Sequence, residues 1–214
     1  ARVFVNRVWG WHFGSALVTT PSDFGVRTEA PVQLALLDWL AATFVESGWS
    51  VKALQRAIVL SRTYRQSSDA NPAVLAVDPD NLYLTRGHRR RLEFEALRDT
   101  VLAVSGQLDR QGGGLPDDLT KEPFTRRRTV YGFIDRQNLP GIFRTFDYPN
   151  PDVSSAQRFA TTVPQQALFL MNSPFVLQAA RRLAARVAGE VGARGIDVLY
   201  ELLFQRIPES GERE

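Results

Sequence analysis

Apolar positions recur at helical spacing in three stretches near the start of the chain. Residues 1–13 predict a helix that Gly14 ends, because glycine readily adopts the left-handed conformation that closes a helix. Pro31 predicts the first position of a second helix to about Glu46, and Ser50 predicts the N-cap of a third. The apolar face predicted for the second helix consists of Leu36, Leu37, Trp39, Leu40 and Phe44. Since the link between them is short, the second and third helices are expected to form an antiparallel hairpin.

The strongest helical period of the chain runs from about Leu92 to Leu108. Its apolar residues alternate at steps of three and four, at Phe94, Leu97, Val101, Val104 and Leu108. Glu95 and Arg98 lie off this stripe, which predicts a surface pair one turn apart. We expect this helix to share a core with the N-terminal hairpin. The Pro, Asn and Asp clusters before it, between Arg65 and Gly87, predict a surface connection.

The second half of the chain contains fewer long periodic segments. Residues 126–134 predict a short strand or extended segment, and residues 135–163 predict a long ordered loop. Three helices are predicted after it: from Pro164 to Met171, from a Ser173–Pro174 start to about Glu190, and from Ile196 to Phe204. The residues expected to face inward are Val176, Ala180, Leu183, Val187, Leu199 and Leu203.

These elements predict a mainly α fold, an irregular helical domain with long ordered loops and at most a short strand pair. One domain over residues 1–214 is expected. Glycines 112–114 predict a soft internal boundary near 109–120, which separates a helical half, 1–108, from a loop-rich half, 121–214.

Composition limits the classes of protein that the chain can represent. The chain has 214 residues, of which 44% are hydrophobic, and a formal net charge of +3. No apolar run reaches the length of about 18 residues that a membrane span requires. The chain contains no cysteine, so a CxxCH haem attachment and thiolate metal sites are excluded from this segment. Because the sequence starts in the middle of a pattern without Met, it is expected to be a fragment whose signal peptide is missing.

Several short motifs suggest chemistry without the residues that the chemistry needs. Asp23–Phe24–Gly25 matches the magnesium-binding triplet of protein kinases, but no glycine-rich loop, strand lysine or His-Arg-Asp loop accompanies it. His12 and His88 show no metal-ligand spacing, and DPDN at 78–81 fits a turn better than a calcium loop, so no metal is predicted. The arginine clusters at 89–91 and 126–128 favour solvated faces and internal ion pairs over a nucleic-acid surface.

Polar residues in ordered, aromatic-rich loops are the remaining candidates for a site. The catalytic candidates are Asp23, His12, Asp147 and Arg158. The ligand-binding candidates are Asn6, Arg7, Trp11, Arg144, Gln165, Gln166 and Asn172. If the two halves of the chain pack together, these loops meet in one pocket. A structural network of hydrogen bonds explains the same residues equally well, since buried polar groups need partners.

Eight ordered sequence blocks carry a family resemblance. They are NRVWGWHFG, TPSDFG, LLDWLA, GWSVKALQRAIVLSRTYRQSS, DPDN, RRRLEFEALRD, FDYP and TTVPQQALFLMNSPFV. In this order they resemble the planctomycete cytochrome-c-associated secreted domain, domain of unknown function 1553. The chain departs from that family at Gln33 and Leu34, where relatives usually carry His-Pro, and at Trp11 and His12, where relatives often carry paired histidines.

The resemblance implies a setting for the chain and no catalytic residue. It implies a C-terminal part of a larger exported or periplasmic protein, with a haem-bearing cytochrome c type domain upstream and no cofactor in this segment. The partners implied are the upstream domains of the same polypeptide, with no nucleic acid and no membrane span.

Three functions remain open from the sequence. The first is a binding or scaffolding module, for which exposed aromatic residues beside Asp, Asn and Arg suggest a carbohydrate or polysaccharide ligand. The second is a hydrolase that uses Asp23 or Asp147 with Arg158 and His12. The third is a purely structural spacer.

Overall fold

The fold is mainly α-helical, as the sequence predicts. The computed structural model describes residues 1–190 and 192–213, which contain ten α-helices and no sheet. Strand pairing in these residues is limited to two isolated parallel bridges, Asp109 with Arg127 and Asp117 with Gly132. By its internal contacts the chain divides into two compact units, Ala1–Arg91 and Leu92–Glu214.

Five helices build the first unit. They are α1 (Arg2–Phe13), α2 (Leu34–Glu46), α3 (Val51–Leu60), α4 (Arg62–Arg65) and α5 (Pro72–Val77). The predicted end of α1 and the predicted start of α3 are confirmed. Gly14 closes α1 at a φ of 79°, and Ser50 Oγ at the N-cap of α3 accepts a hydrogen bond from the Ala53 N–H. Helix α1 packs against α2 and α3, and their apolar faces meet in one core. The buried residues of this core include Val5, Val8, Trp9, Leu37, Leu40, Phe44, Leu54 and Ile58.

Three predictions for the first unit are wrong. Helix α2 begins at Leu34, three residues after Pro31, and Trp39 is 58% exposed. Trp39 lies about 200° around the helix from Leu37, so it faces away from the core that Leu37 and Leu40 enter. The segment between Arg65 and Gly87 is also more than a surface connection, because it contains α5 and buries Asp78 and Asn81.

The second unit contains the other five helices and its own core. They are α6 (Phe94–Val104), α7 (Gly141–Thr145), α8 (Pro164–Asn172), α9 (Pro174–Val187) and α10 (Ala193–Phe204). Its buried cluster comprises Phe94, Leu119, Leu139, Phe143 and Phe146. Helix α6 belongs to this cluster, so the prediction that it shares a core with the N-terminal hairpin is wrong. Glycines 112–114 lie inside this unit, where the Arg127 guanidinium donates to the Gly113 carbonyl.

The sequence identifies the helices of the second unit better than their buried faces. Helix α6 buries Phe94, Arg98 and Leu102, at steps of four, so the placement of Arg98 on the surface is wrong. Helix α9 buries Phe175 and Ala179 in addition to Leu183 and Val187, in place of Val176 and Ala180. Leu203 of α10 was expected to face the core, but it is 43% exposed.

Candidate binding site

A cavity of about 590 Å³ lies within the second unit, between α6, α7, α8, the start of α9 and the loop at 119–124. Apolar side chains form most of its wall, including Phe94, Leu119, Phe124, Leu168, Phe169 and Phe175. Its polar lining includes Arg98, Glu122, Gln165, Asn172 and Ser173. We call this space the aromatic cavity.

Phenylalanine rings give the aromatic cavity a wall of fixed geometry. The Phe94 ring lies edge-on to Phe143 and Phe169, at centroid distances of 5.2 and 6.4 Å. The Phe124 and Phe175 rings meet edge to face at 5.6 Å on another part of the wall. Edge-to-face pairs of this kind are favoured by the ring quadrupoles and add to the burial energy. The wall is therefore built by the second unit's own core.

Arg98 is a buried cation at the wall of the aromatic cavity. Its guanidinium donates to the carbonyls of Thr125, at 2.5 Å, and Arg127, at 3.1 Å, and it lies 4.9 Å from the centre of the Phe175 ring. Burial lowers the pKa of Arg98, and the charges of Asp99 and Asp117 oppose that shift. Arg98 thereby holds the extended segment after Phe124 against α6. The predicted pair with Glu95 is wrong, because Glu95 binds another residue.

That residue is Arg158, one of the catalytic candidates. Its guanidinium makes two hydrogen bonds to the Glu95 carboxylate, at 2.8 and 2.9 Å, and one to Glu93 at 2.8 Å. It also lies 5.0 Å from the centre of the Tyr148 ring. Burial opposes the charged form, but the hydrogen bond and charge of Glu95, with Glu93, outweigh it and raise the pKa of Arg158. Arg158 thus fixes the long loop to α6.

Asp147 and Gln166 organise the other side of the same loop. The Asp147 carboxylate accepts hydrogen bonds from the Thr161 N–H at 2.8 Å and from the Thr161 hydroxyl at 2.7 Å. The buried Gln166 amide donates to the carbonyls of Thr145 and Thr161. These bonds connect α7, the loop and α8. Both residues therefore support the fold beside the aromatic cavity.

Of the candidates in the second unit, Gln165 and Asn172 line the aromatic cavity. Both are exposed residues of α8, and within residues 1–190 and 192–213 neither side-chain amide has a hydrogen-bond partner. Arg144 is exposed near the end of α7 and does not line this cavity. The structure therefore brings two of the predicted ligand-binding residues to one pocket.

The candidates of the first unit differ in burial and in their partners. Asn6 is fully buried and exchanges hydrogen bonds with Val18, while His12 Nδ1 lies 2.8 Å from the Val8 carbonyl oxygen. Asp23 is exposed and lies 3.4 Å from the Arg27 guanidinium. Arg7 and Trp11 are also exposed, and 59% of the Trp11 surface is accessible.

The sequence interpretation missed a second, polar cavity of about 480 Å³ in the first unit. Asp78 accepts hydrogen bonds from the N–H groups of Leu82 and Tyr83, and Asn81 donates to the ring nitrogen Nε2 of His88. Burial first, and then the charge of Arg86, lower the pKa of His88, while Asp78 acts in the opposite direction. The DPDN motif at 78–81 was the sequence signal for this site, because Asp and Asn side chains commonly form hydrogen bonds with the backbone groups of a loop.

Residues 1–190 and 192–213 contain no group of three or more His, Asp or Glu side chains able to hold a metal ion. Every helix in the same residues is too short or too polar to traverse a bilayer.

The comparison with known proteins identifies a family. The model of the PSD1 family, described as proteins of unknown function (DUF1553), matches residues 1–214, the whole chain. No curated protein and no solved structure gives a significant match. Because the family model covers the full length, the chain belongs to the PSD1 family of proteins of unknown function.

Proposed function

We propose that this chain is a binding module whose second unit takes a small molecule with an apolar body in the aromatic cavity. The observation that carries the proposal is a concave space of about 590 Å³ with a mostly apolar wall and a few polar side chains. Small-molecule sites are typically of this size and this composition. A purely structural spacer has no need of such a space.

The exposure of Leu168 on α8 supports the proposal. Leu168 lines the aromatic cavity and is 54% exposed. Apolar surface in contact with water favours association with an apolar partner. A ligand seated against Leu168 would remove part of this surface from water.

Three polar groups are suited to orient such a ligand. The Gln165 and Asn172 amides line the cavity, and the Ser173 hydroxyl makes no capping bond to α9. Within the residues that the structure describes, the two amides have no protein partner, so a bound molecule can use them without breaking an existing bond. Few, convergent polar groups in an apolar site confer orientation and specificity.

The hydrolase alternative has less support. Both Asp147 carboxylate oxygens accept hydrogen bonds from Thr161, and the Arg158 guanidinium is held by two carboxylates. A general base must reach the proton of a substrate. These two residues already have structural partners, so they favour the binding role.

Fluorescence titration tests the proposal. We expect the full chain to bind the neutral probe N-phenyl-1-naphthylamine, whose emission rises in an apolar site. Leu168→Glu should weaken binding about tenfold or more, because a charge would then face the apolar probe. Met171→Glu is the matched control on the same helix, since Met171 does not line the cavity. Equal affinity for all three proteins would contradict the proposal.

A carbohydrate ligand is a second candidate, and it concerns the first unit. Trp11 and Trp39 are 59% and 58% exposed there. Exposed indole faces provide a large apolar surface with a polar edge, which suits contact with a sugar ring. A glycan array on the full chain tests this candidate: binding that is lost in Trp11→Ala or Trp39→Ala supports it, and an array without binding contradicts it.

The wider setting remains a proposal from the family resemblance. It comprises an exported or periplasmic location, planctomycete origin, and a haem-bearing cytochrome c type domain upstream in the same polypeptide. The haem would belong to that upstream domain, because this chain contains no cysteine for CxxCH attachment. Sequencing the complete gene tests the setting directly.

A further inference from the structure

A smaller cavity of about 280 Å³ adjoins the aromatic cavity in the second unit. Arg126, Arg181 and Arg182 line it, together with the Gln178 amide. Phe124 and Phe175 line both cavities, so this edge-to-face pair forms their common wall. We call the smaller space the arginine cavity.

Two separate elements bring these side chains together. Gln178, Arg181 and Arg182 are spaced at i, i+3 and i+4 on α9, which places them on one side of that helix. Arg126 comes from the extended segment, where its carbonyl accepts a hydrogen bond from the Asp109 N–H at 2.9 Å. The convergence therefore depends on the tertiary fold.

The three arginines lack protein partners in the part of the chain that the structure describes. Within residues 1–190 and 192–213, none of their guanidinium groups forms an ion pair or a hydrogen bond, and no carboxylate lines the arginine cavity. The two arginines that follow Arg126 do form ion pairs: Arg127 with Asp117 at 3.2 Å and Arg128 with Asp99 at 3.0 Å. Like charges around a concave space repel one another, and an anion placed between them removes that repulsion.

We propose that the ligand of the aromatic cavity carries an oxyanion group, which Arg126, Arg181 and Arg182 bind in the arginine cavity. This inference rests on the proposed function. The planar guanidinium donates paired hydrogen bonds that match phosphate, sulfate and carboxylate oxygens. The ligand class is thus an amphipathic anion, with its apolar body on one side of Phe124 and Phe175 and its charge on the other.

Two probes that share the same aromatic framework test the apolar site and the oxyanion site separately. N-phenyl-1-naphthylamine is neutral, and 1-anilinonaphthalene-8-sulfonate carries a sulfonate on the same framework. At low salt we expect the full chain to bind the sulfonate about tenfold more tightly, as charge-assisted hydrogen bonds predict. Arg181→Gln with Arg182→Gln should reduce this preference to about twofold and leave binding of the neutral probe unchanged.

A charge-matched variant controls for the loss of two positive charges. Arg56→Gln with Arg62→Gln removes the same charge from exposed positions in the first unit and should keep the preference. The four substituted arginines, two in each variant, are exposed, so we expect thermal unfolding to show that both variants fold.

Each outcome distinguishes the inference from the function on which it rests. Equal affinity for both probes, or a preference that survives Arg181→Gln with Arg182→Gln, overturns the oxyanion inference and leaves the aromatic cavity as a binding site. Failure of both probes overturns both proposals. Inorganic phosphate that binds as tightly as the sulfonate probe means that the arginines hold a free oxyanion, which overturns the amphipathic ligand class.

Discussion

Asn6 and Val18 form a reciprocal pair of hydrogen bonds inside the first unit. The Asn6 amide donates to the Val18 carbonyl at 3.1 Å, and the Val18 N–H donates to the Asn6 Oδ1 atom at 2.8 Å. Both residues are buried, so water cannot replace either bond. One side chain of α1 therefore holds the backbone of the loop that follows it.

The first prediction concerns this pair. Asn6→Ala leaves a buried N–H and a buried carbonyl without partners, which should lower the free energy of unfolding by about 2–4 kcal/mol. Urea denaturation measures the change. The adjacent exposed residue supplies the control, because Arg7→Ala should change stability by less than about 0.5 kcal/mol. Similar midpoints for the two variants would show that the Asn6 bonds are dispensable.

The second prediction concerns Arg98. Arg98→Lys keeps the charge but cannot reach the Thr125 and Arg127 carbonyls together, because an ammonium lacks the planar fork of a guanidinium. Loss of one charged hydrogen bond should lower the free energy of unfolding by about 1.5–3 kcal/mol. Arg110→Lys, at an exposed position, is the control for the same replacement. If both variants unfold at the wild-type urea concentration, Arg98 does not hold the segment.

The third prediction concerns the ion pair of Arg158 with Glu95. A double-mutant cycle with Arg158→Gln and Glu95→Gln should give a coupling energy of about 1 kcal/mol, because both side chains remain partly exposed and solvent screens the pair. The coupling should decrease at high salt. A coupling of zero at low salt would mean that the loop is held to α6 by other contacts.

The fourth prediction concerns pH and His88. Burial first, and then the charge of Arg86, lower the pKa of His88 below its ordinary value of 6.5, and the Asn81 amide donates to Nε2 of the neutral ring. Unfolding restores that ordinary value, so the unfolded chain binds the proton first as the pH falls. The stabilising contribution of His88 is therefore complete above pH 6.5 and is lost as the pH falls towards the lower folded pKa.

Urea unfolding between about pH 7.5 and pH 5 checks this dependence. His88→Gln should flatten the decline in stability at acidic pH. If the stability of His88→Gln declines as steeply at acidic pH as that of the wild type, groups other than His88 cause the pH dependence.

Local signals in the sequence predict several of the helix boundaries, although Pro31 does not begin α2. Gly14, Ser50 and Pro164 act within one turn of their own position, and the structure confirms a helix end or start at each. Such signals depend on neighbouring backbone groups alone. This is why the mainly α fold follows from the sequence.

The predictions of buried faces are wrong where contacts with a distant part of the chain determine which side of a helix is buried. The periodicity of α6 puts Arg98 off the apolar stripe and so predicts an exposed position, but its carbonyl partners lie 27 and 29 residues later in the chain. Trp39 belongs to the apolar face that the sequence predicts for α2, but it is not among the residues that this helix buries. The periodicity of a helix does not reveal contacts of this kind. A single sequence does not show which distant residues contact each other.

The candidate site was predictable only in part for the same reason. Gln165 and Asn172 were identified as polar residues near aromatics, and they line the aromatic cavity. The arginine cavity was not predicted, because Arg126 and Arg181 are 55 residues apart in the chain and no local sequence signal connects them.

Nuclear magnetic resonance of the full chain with the neutral probe bound tests the central claim most directly. Intermolecular nuclear Overhauser effects should connect the rings of N-phenyl-1-naphthylamine with the methyl groups of Leu119, Ile142 and Leu168, which line the aromatic cavity. Effects confined to methyl groups of the first unit, or an absence of any effect at saturating probe, would contradict the assignment of the second unit as the binding module.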